Sequence, residues 1–184
     1  MYNKQQRQLL LQLARESIAC GLQNNKPLKM NMQDYEAELQ QHRACFVTLH
    51  KDGQLRGCIG SLEAHRPLVL DVSENAYAAA FRDPRFNPLQ DTEFDSLALS
   101  ISVLTPATVM QFNSEQDLLG QIRPGVDGLI LQDTYHRGTF LPSVWEQLPD
   151  PVKFLQHLKL KAGLTTDYWS NNVQVSRYET ESFE

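Results

Sequence analysis

From residue 3 to residue 22, apolar side chains return at helical spacing, with Leu10, Leu13, Ala14, Ile18 and Leu22 on one stripe that Gly21 to Pro27 interrupts. The pattern predicts an amphipathic opening helix over residues 3–22. A shorter helical turn is predicted around Asp34 to Gln40, and the hydrophobic period then falls from about 3.6 to 2. Ala44-Cys45-Phe46-Val47-Thr48-Leu49-His50 is a β-rich run, separated by Asp52-Gly53 from Leu55-Arg56-Gly57-Cys58-Ile59-Gly60. Asp-Gly favours a type I′ turn, which needs positive φ at both central residues, so a β-hairpin is predicted here.

Pro67 is placed to begin a second helix, with Leu68, Val72, Ala76, Ala79 and Ala80 as its stripe, and the Pro-broken loop Arg82 to Pro88 ends it. Leu97 to Leu104 alternates as a half-buried strand and stops at Thr105-Pro106. Ser114 is a candidate N-cap for a short helix that Pro124-Gly125 terminates. Strands at Gly128 to Gln132 and Gly138 to Leu141 precede a helix with Asp150 as N-cap, Pro151 at its first position and Gly163 past its end. A closing strand is predicted over Asn172 to Glu179.

Hairpins alternating with single helices predict an α+β fold of antiparallel β-hairpins with packed helices, rather than a doubly wound sheet. The chain reads as a single domain over residues 1–184, with subdomains at about 40–110 and 111–184 and an N-terminal helix at about 3–22. Asp52-Gly53, Arg56-Gly57 and the Pro67 helix recur loosely as Asp127-Gly128, Arg137-Gly138 and the Pro151 helix. The recurrence opens the alternative of an internal duplication, with Thr139 standing where Cys58 stands.

Composition narrows the function classes. The chain is 41% hydrophobic and 21% charged with a net charge of -5, which fits a globular protein and argues against general nucleic-acid binding through phosphate contacts. No run of about 18 apolar residues occurs, and Leu9 to Leu13 is too short for a secretory core, so a cytoplasmic protein without membrane association is expected. Cys20, Cys45 and Cys58 are widely spaced and form no Cys-x-x-Cys pair, as reduced thiols would be. No zinc cluster, Walker loop, nucleophile elbow or dinucleotide fingerprint is present, so the sequence names no metal and leaves the cofactor unknown.

The candidate chemistry lies in the hairpin. If pairing runs unbroken from the Asp52-Gly53 turn, Leu49 faces Arg56, Val47 faces Cys58 and Cys45 faces Gly60, and alternation puts Cys45, Val47, Leu49, Arg56 and Cys58 on one face. A guanidinium roughly 6–7 Å from a thiol favours the thiolate. Cys58 is therefore the candidate catalytic nucleophile or redox thiol, with Arg56 lowering its pKa and orienting an anionic group. Gly57 and Gly60 leave the backbone open to a ligand, and Arg82 and Arg85 offer forked donors to a phosphate or carboxylate, so these four are the candidate binding residues. A packing alternative stands beside this reading: the glycines admit a helix, Cys58 is a small core residue, Arg56 pairs with a carboxylate such as Glu63, and Arg82 complements a helix end. His65 is the nearest downstream candidate base for Cys58. Trp145, Tyr168, Trp169 and Phe183 read as core or domain-edge aromatics, because basic residues do not interleave with them.

Leu55 to Gly60, Arg82 to Phe86, Ser102-Val103-Leu104-Thr105-Pro106, Asp127-Gly128-Leu129-Ile130 and Leu160-Lys161-Ala162-Gly163-Leu164 together resemble the AMMECR domain family, over about Gln5 to Phe183. Bacterial members are called AmmeMemoRadiSam system protein A. The resemblance implies an α+β fold of two subdomains around a cleft in a cytoplasmic protein whose function is uncharacterised, with an Arg-Gly-Cys motif carried here by Arg56, Gly57 and Cys58. It also implies two alternative functions. One is an enzyme acting on a small anionic or nucleotide-like substrate at that motif; the other is a non-catalytic adaptor for a Memo-like protein or a radical S-adenosylmethionine enzyme.

Overall fold

Asn3 opens the first helix in the computed structural model, which describes residues 1–184: its side chain accepts the Gln6 N–H at 2.9 Å, and the Gln6 side chain accepts the Asn3 N–H at 2.9 Å. This reciprocal cap satisfies two otherwise orphaned donors. Helix α1 then runs Lys4–Asn24 until Asn25 turns left-handed at φ 53°. Where a helical turn around Asp34 to Gln40 is predicted, a 3-10 turn forms at Met32–Asp34 and a hydrogen-bonded turn follows over residues 37–40, with the Gln40 N–H donating to the Glu36 carbonyl at 3.2 Å. Strands β1 (Cys45–Lys51) and β2 (Gln54–Gly60) form the first hairpin, followed by α2 (Leu68–Phe81) and β3 (Leu97–Leu104). Pro67 is the N-cap of α2 rather than its first residue. The remaining elements are β4 (Thr108–Val109), α3 (Glu115–Gln121), β5 (Gly128–Asp133), β6 (His136–Phe140), α4 (Pro151–Lys161), β7 (Gln174–Tyr178) and β8 (Thr180–Phe183). This is an α+β fold. No helix is long and apolar enough to cross a membrane.

The chain divides into two compact units, Met1–Leu104 with Glu181–Glu184, and Thr105–Thr180. In the first, the sheet order is β2-β1-β3-β8. Its core joins the α1 stripe of Leu10, Leu13, Ala14 and Ile18 to Leu68, Val72 and Ala76 of α2 and to Cys45, Val47, Leu49 and Ile101 of the sheet. Buried polar groups within this core are paired, as their desolvation requires. Asp71 accepts the Cys45 N–H at 2.9 Å and the Arg66 Nε–H at 2.7 Å, and Asn75 donates to the Cys45 carbonyl at 3.1 Å. Burial, reinforced by the Asp71 charge, pushes the Cys45 thiol well up, so this cysteine is a core residue held protonated.

The second unit has the sheet order β4-β7-β5-β6. Leu129, Leu131 and Val175 of the sheet pack with Phe154, Leu155 and Leu158 of α4. Trp145 stacks on Phe154 with ring centroids 3.7 Å apart, and its indole N–H donates to the Asp127 carbonyl at 2.7 Å.

The two units repeat one topology. Each runs helix, strand, strand, helix, strand, through α1-β1-β2-α2-β3 and α3-β5-β6-α4-β7, with the first strand of the hairpin between its partner and the third strand. Gly57 pairs opposite Leu49 and Gly138 opposite Leu131, so the glycines occupy matching positions in the two hairpins. A Cβ on Gly57 would lie 2.1 Å from the Ala79 carbonyl oxygen of α2, and one on Gly138 would lie 2.9 Å from the Ala162 nitrogen after α4. Of the sequence recurrence, Arg56-Gly57 and Arg137-Gly138 mark the place where each hairpin lets a helix approach its backbone, whereas Asp52-Gly53 is a hairpin turn and Asp127-Gly128 leads into β5, away from the turn of its own hairpin.

Candidate functional site

The geometry of the hairpin differs from the unbroken register in one residue, with large effect. His50 pairs with Leu55 next to the turn, but Leu49 pairs with Gly57, Thr48 with Cys58 and Phe46 with Gly60, because a β-bulge takes up Arg56. A one-residue slip exchanges the faces of everything beyond it. Cys58 therefore lies opposite Thr48 and not opposite the fully buried Val47, and it is not on the face of Cys45, Val47 and Leu49. Its sulfur is 3.3 Å from the Thr48 hydroxyl. His65, the candidate base, is exposed and sits 2.9 Å from the Glu63 carbonyl through Nδ1.

Arg56 does not stand as an uncommitted cation beside the thiol. Its Nε donates to Glu93 Oε1 at 2.9 Å, and Nη2 donates to Glu93 Oε2 at 3.0 Å and to the Asn87 carbonyl at 2.9 Å. The carboxylate is Glu93, not Glu63. Lys51 adds a second cation to Glu93 at 3.4 Å. Hydrogen bonding to Arg56 holds the Glu93 carboxyl down to about 2 and raises the Arg56 pKa in turn. The Nη1 of Arg56 is buried and makes no hydrogen bond in the chain.

The cation held against Cys58 is Arg85. β2 is an edge strand, whose outward N–H and C=O groups would otherwise be open to another chain. The loop after α2 covers them: Asp83 accepts the Cys58 N–H at 2.9 Å, and Arg85 Nη2 donates to the Cys58 carbonyl at 3.2 Å. Arg85 also grips Asp83 through Nε at 2.9 Å and Nη2 at 2.7 Å. Asp83 is buried, and its carboxyl is held well below the usual range, first by Arg85 and further by the backbone N–H of Cys58. Asp83 raises the Arg85 pKa most, and the Cys58 side chain acts in the same direction.

Arg56 and Arg85 border one cavity of about 750 Å³ with Phe86, Asn87, Gln90 and Glu93. The Phe86 ring lies 5.9 Å from the Arg56 guanidinium and 5.5 Å from that of Arg85. Cys58 does not line this cavity. Nor does Arg82, which stacks over Tyr77 at 5.0 Å, as a helix-end residue would. The open backbone expected at Gly57 and Gly60 is filled by the chain itself, by the Ala79 carbonyl beside Gly57 and by Phe46 and the Cys45 carbonyl beside Gly60. The structure thus brings together Arg56 and Arg85 among the candidates and adds Glu93, Phe86, Asn87 and Gln90. Glu93 carried a local signal only, as the third residue of a capping box with Gln90, and no spacing rule connects it to Arg56. No group of three or more His, Cys, Asp or Glu residues is arranged to hold a metal ion.

The AMMECR1 family profile matches residues 11–183. Protein MJ0810 of Methanocaldococcus jannaschii is 39% identical over 160 residues, covering 85% of this chain and 80% of the relative. Protein MK0488 of Methanopyrus kandleri is 36% identical over 182 residues, covering 96% and 87%. The crystal structure of the uncharacterized protein PH0010 from Pyrococcus horikoshii superposes with a TM-score of 0.85 at 33% identity, covering 96% of this chain and 89% of that one. With a profile that spans nearly the whole sequence and relatives matched along most of their length, the chain belongs to the AMMECR1 family.

Proposed function

We propose that this chain binds a small anionic, nucleotide-like molecule in the cavity bordered by Arg56, Arg85 and Phe86, with the Cys58 thiol behind Arg85 as the group available for chemistry. The observation that carries the reading is the way both guanidiniums are used. Each gives Nε and Nη2 to its carboxylate, Arg56 to Glu93 and Arg85 to Asp83, which fixes both forks; the Arg56 Nη1 is buried, while the more exposed Arg85 keeps its Nη1 over as a donor. Fixed forks with a spare donor are suited to phosphate or carboxylate oxygens, and little side-chain entropy is then lost on binding. The Phe86 ring supplies a face for a base or other planar group. Charge agrees: in the ion pairs at this place three cations, Arg56, Arg85 and Lys51, share two carboxylates, Asp83 and Glu93, on a chain of net charge -5.

A different observation favours the adaptor reading, in which the same surface docks a Memo-like protein or a radical S-adenosylmethionine enzyme. Cys58 stands outside the cavity, and Leu55 beside Arg56 is 40% exposed.

Calorimetric titration with adenosine monophosphate, inorganic phosphate and citrate tests the first reading. Saturable binding that Arg85→Ala weakens about tenfold or more supports it, about 1.4 kcal/mol being what one charge-assisted contact contributes. Silence of all three ligands, together with capture of a purified partner protein that Arg56→Ala abolishes and Cys58→Ala does not, replaces it with the adaptor. For the thiol, alkylation of Cys58 no faster than that of Cys20 removes the chemical role and leaves binding alone.

A further inference from the structure

We propose that the second unit carries a separate binding site for a neutral saccharide, in a trough lined by Trp169, Phe112 and the amides of Gln111, Asn171, Asn172 and Gln174. Two cavities of about 380 and 340 Å³ share Asn171 and Gln174 in their linings, and so adjoin one another. None of the residues lining either cavity carries a charge, although 21% of the chain is Asp, Glu, Lys or Arg. An ionic ligand would lose its hydration there without meeting a counter-charge. Each amide instead presents both a donor and an acceptor, which is what a ligand covered in hydroxyl groups requires.

The aromatic end is built rather than incidental. Trp169 and Phe112 are half-buried, with ring centroids 5.7 Å apart and planes inclined by 53°. The Lys159 ammonium, 1% exposed, lies 5.5 Å from the Trp169 ring centroid and is itself fixed by Glu115 at 2.7 Å and the Thr166 carbonyl at 3.2 Å. Beyond Trp169 the loop is tied down by Asp133, which accepts from the Tyr168 hydroxyl and from the Ser170 hydroxyl at 3.0 Å, while Ser170 Oγ accepts the Asn172 N–H at 3.1 Å. An aromatic face held in place this way can receive the apolar face of a ring without being ordered first. The adjoining cavity, at Gln132, Thr134 and Asn172, is again lined by amide and hydroxyl groups. The uncharged lining selects a short neutral oligosaccharide over a nucleotide, because the cation beside Trp169, Lys159, is buried and already paired with Glu115.

The test is a ¹⁵N NMR titration of the full chain with maltose, cellobiose and N,N′-diacetylchitobiose, with adenosine as the competing chemistry. At least one saccharide should shift the side-chain amides of Asn171 and Gln174 and the Trp169 indole N–H saturably, with a Kd on the order of 1 mM, and leave the buried Trp145 indole unmoved. Asn171→Ala, at an exposed position that cannot disturb the core, should weaken that binding at least about threefold. The proposal is overturned if no saccharide shifts these signals, if Asn171→Ala and Trp169→Leu both bind as wild type does, or if adenosine alone moves them.

Discussion

Arg56 and Arg85 are equally basic residues in the sequence, yet their surroundings give them different exposure: the Arg56 side chain is 13% exposed and that of Arg85 is 53% exposed. Both depend on a carboxylate partner, and this makes the site sensitive to acid. The Glu93 carboxyl titrates from about 4.5 when unpaired to about 2 in the folded chain. A depressed carboxyl contributes stability that is present above the unfolded value and is lost as pH falls through the folded one. The urea midpoint should therefore fall between about pH 4.5 and 2, and Glu93→Gln should show a smaller part of that fall; identical profiles would remove Glu93 as a contributor. Asp83→Asn keeps the volume but releases Arg85 from its two-point grip, and should cost about 1–3 kcal/mol in chemical denaturation. What the sequence could show here was the residue types. The Asp83-Pro84-Arg85 loop was visible as a constellation, but the partner of Arg56 was not. Glu93 lies 37 residues away, and only tertiary packing brings the two together.

Among the elements, those with their own caps and periodicity were legible: α1, α4 with Asp150 accepting the Lys153 N–H at 2.9 Å, and the hairpin at Asp52-Gly53, whose residues take φ 50° and 74°. The two-residue β4 has too little pattern to read, and the final strand divides at Glu179, whose N–H donates to the Thr105 hydroxyl at 2.9 Å. Register was the costliest miss, because alternation identifies faces only while pairing is unbroken, and the bulge at Arg56 carries no composition signal of its own. The helix contact at Gly57 gives a sharp test. Gly57→Ala places a Cβ against the unyielding backbone of Ala79 and should cost about 3 kcal/mol or prevent folding, whereas Gly120→Ala meets nothing within 4 Å on α3. The latter should stabilise the chain by about 0.5–1 kcal/mol, since alanine is the better helix former. Thermal denaturation of the two variants should move them in opposite directions.

For the whole molecule, the sequence showed the α+β class, and of its loose recurrence only Arg56-Gly57 and Arg137-Gly138 fall at matching places in the two units. It did not show that the first unit is discontinuous. Its fourth strand, β8, comes from the end of the chain, and Phe183 there joins the core built by α1 and β3. Tyr2 reinforces this closure by donating its N–H to Glu181 Oε1 at 2.9 Å. Phe183→Ala should cost about 3 kcal/mol, and amide exchange along β3 should speed up; unchanged protection there would contradict the role of β8. The same unit carries the Arg56–Arg85 cavity, and its ligand is the central claim. The most direct measurement is a ¹⁵N NMR titration with adenosine monophosphate, following the guanidinium Nε–H signals of Arg56 and Arg85 and the Cys58 amide. Saturable shifts in all three, with those of Arg56 and Cys58 abolished by Arg85→Ala and all three lost at high salt as screening predicts, are the expected result. Signals that stay fixed with adenosine monophosphate, or that shift equally in Arg85→Ala, would contradict it.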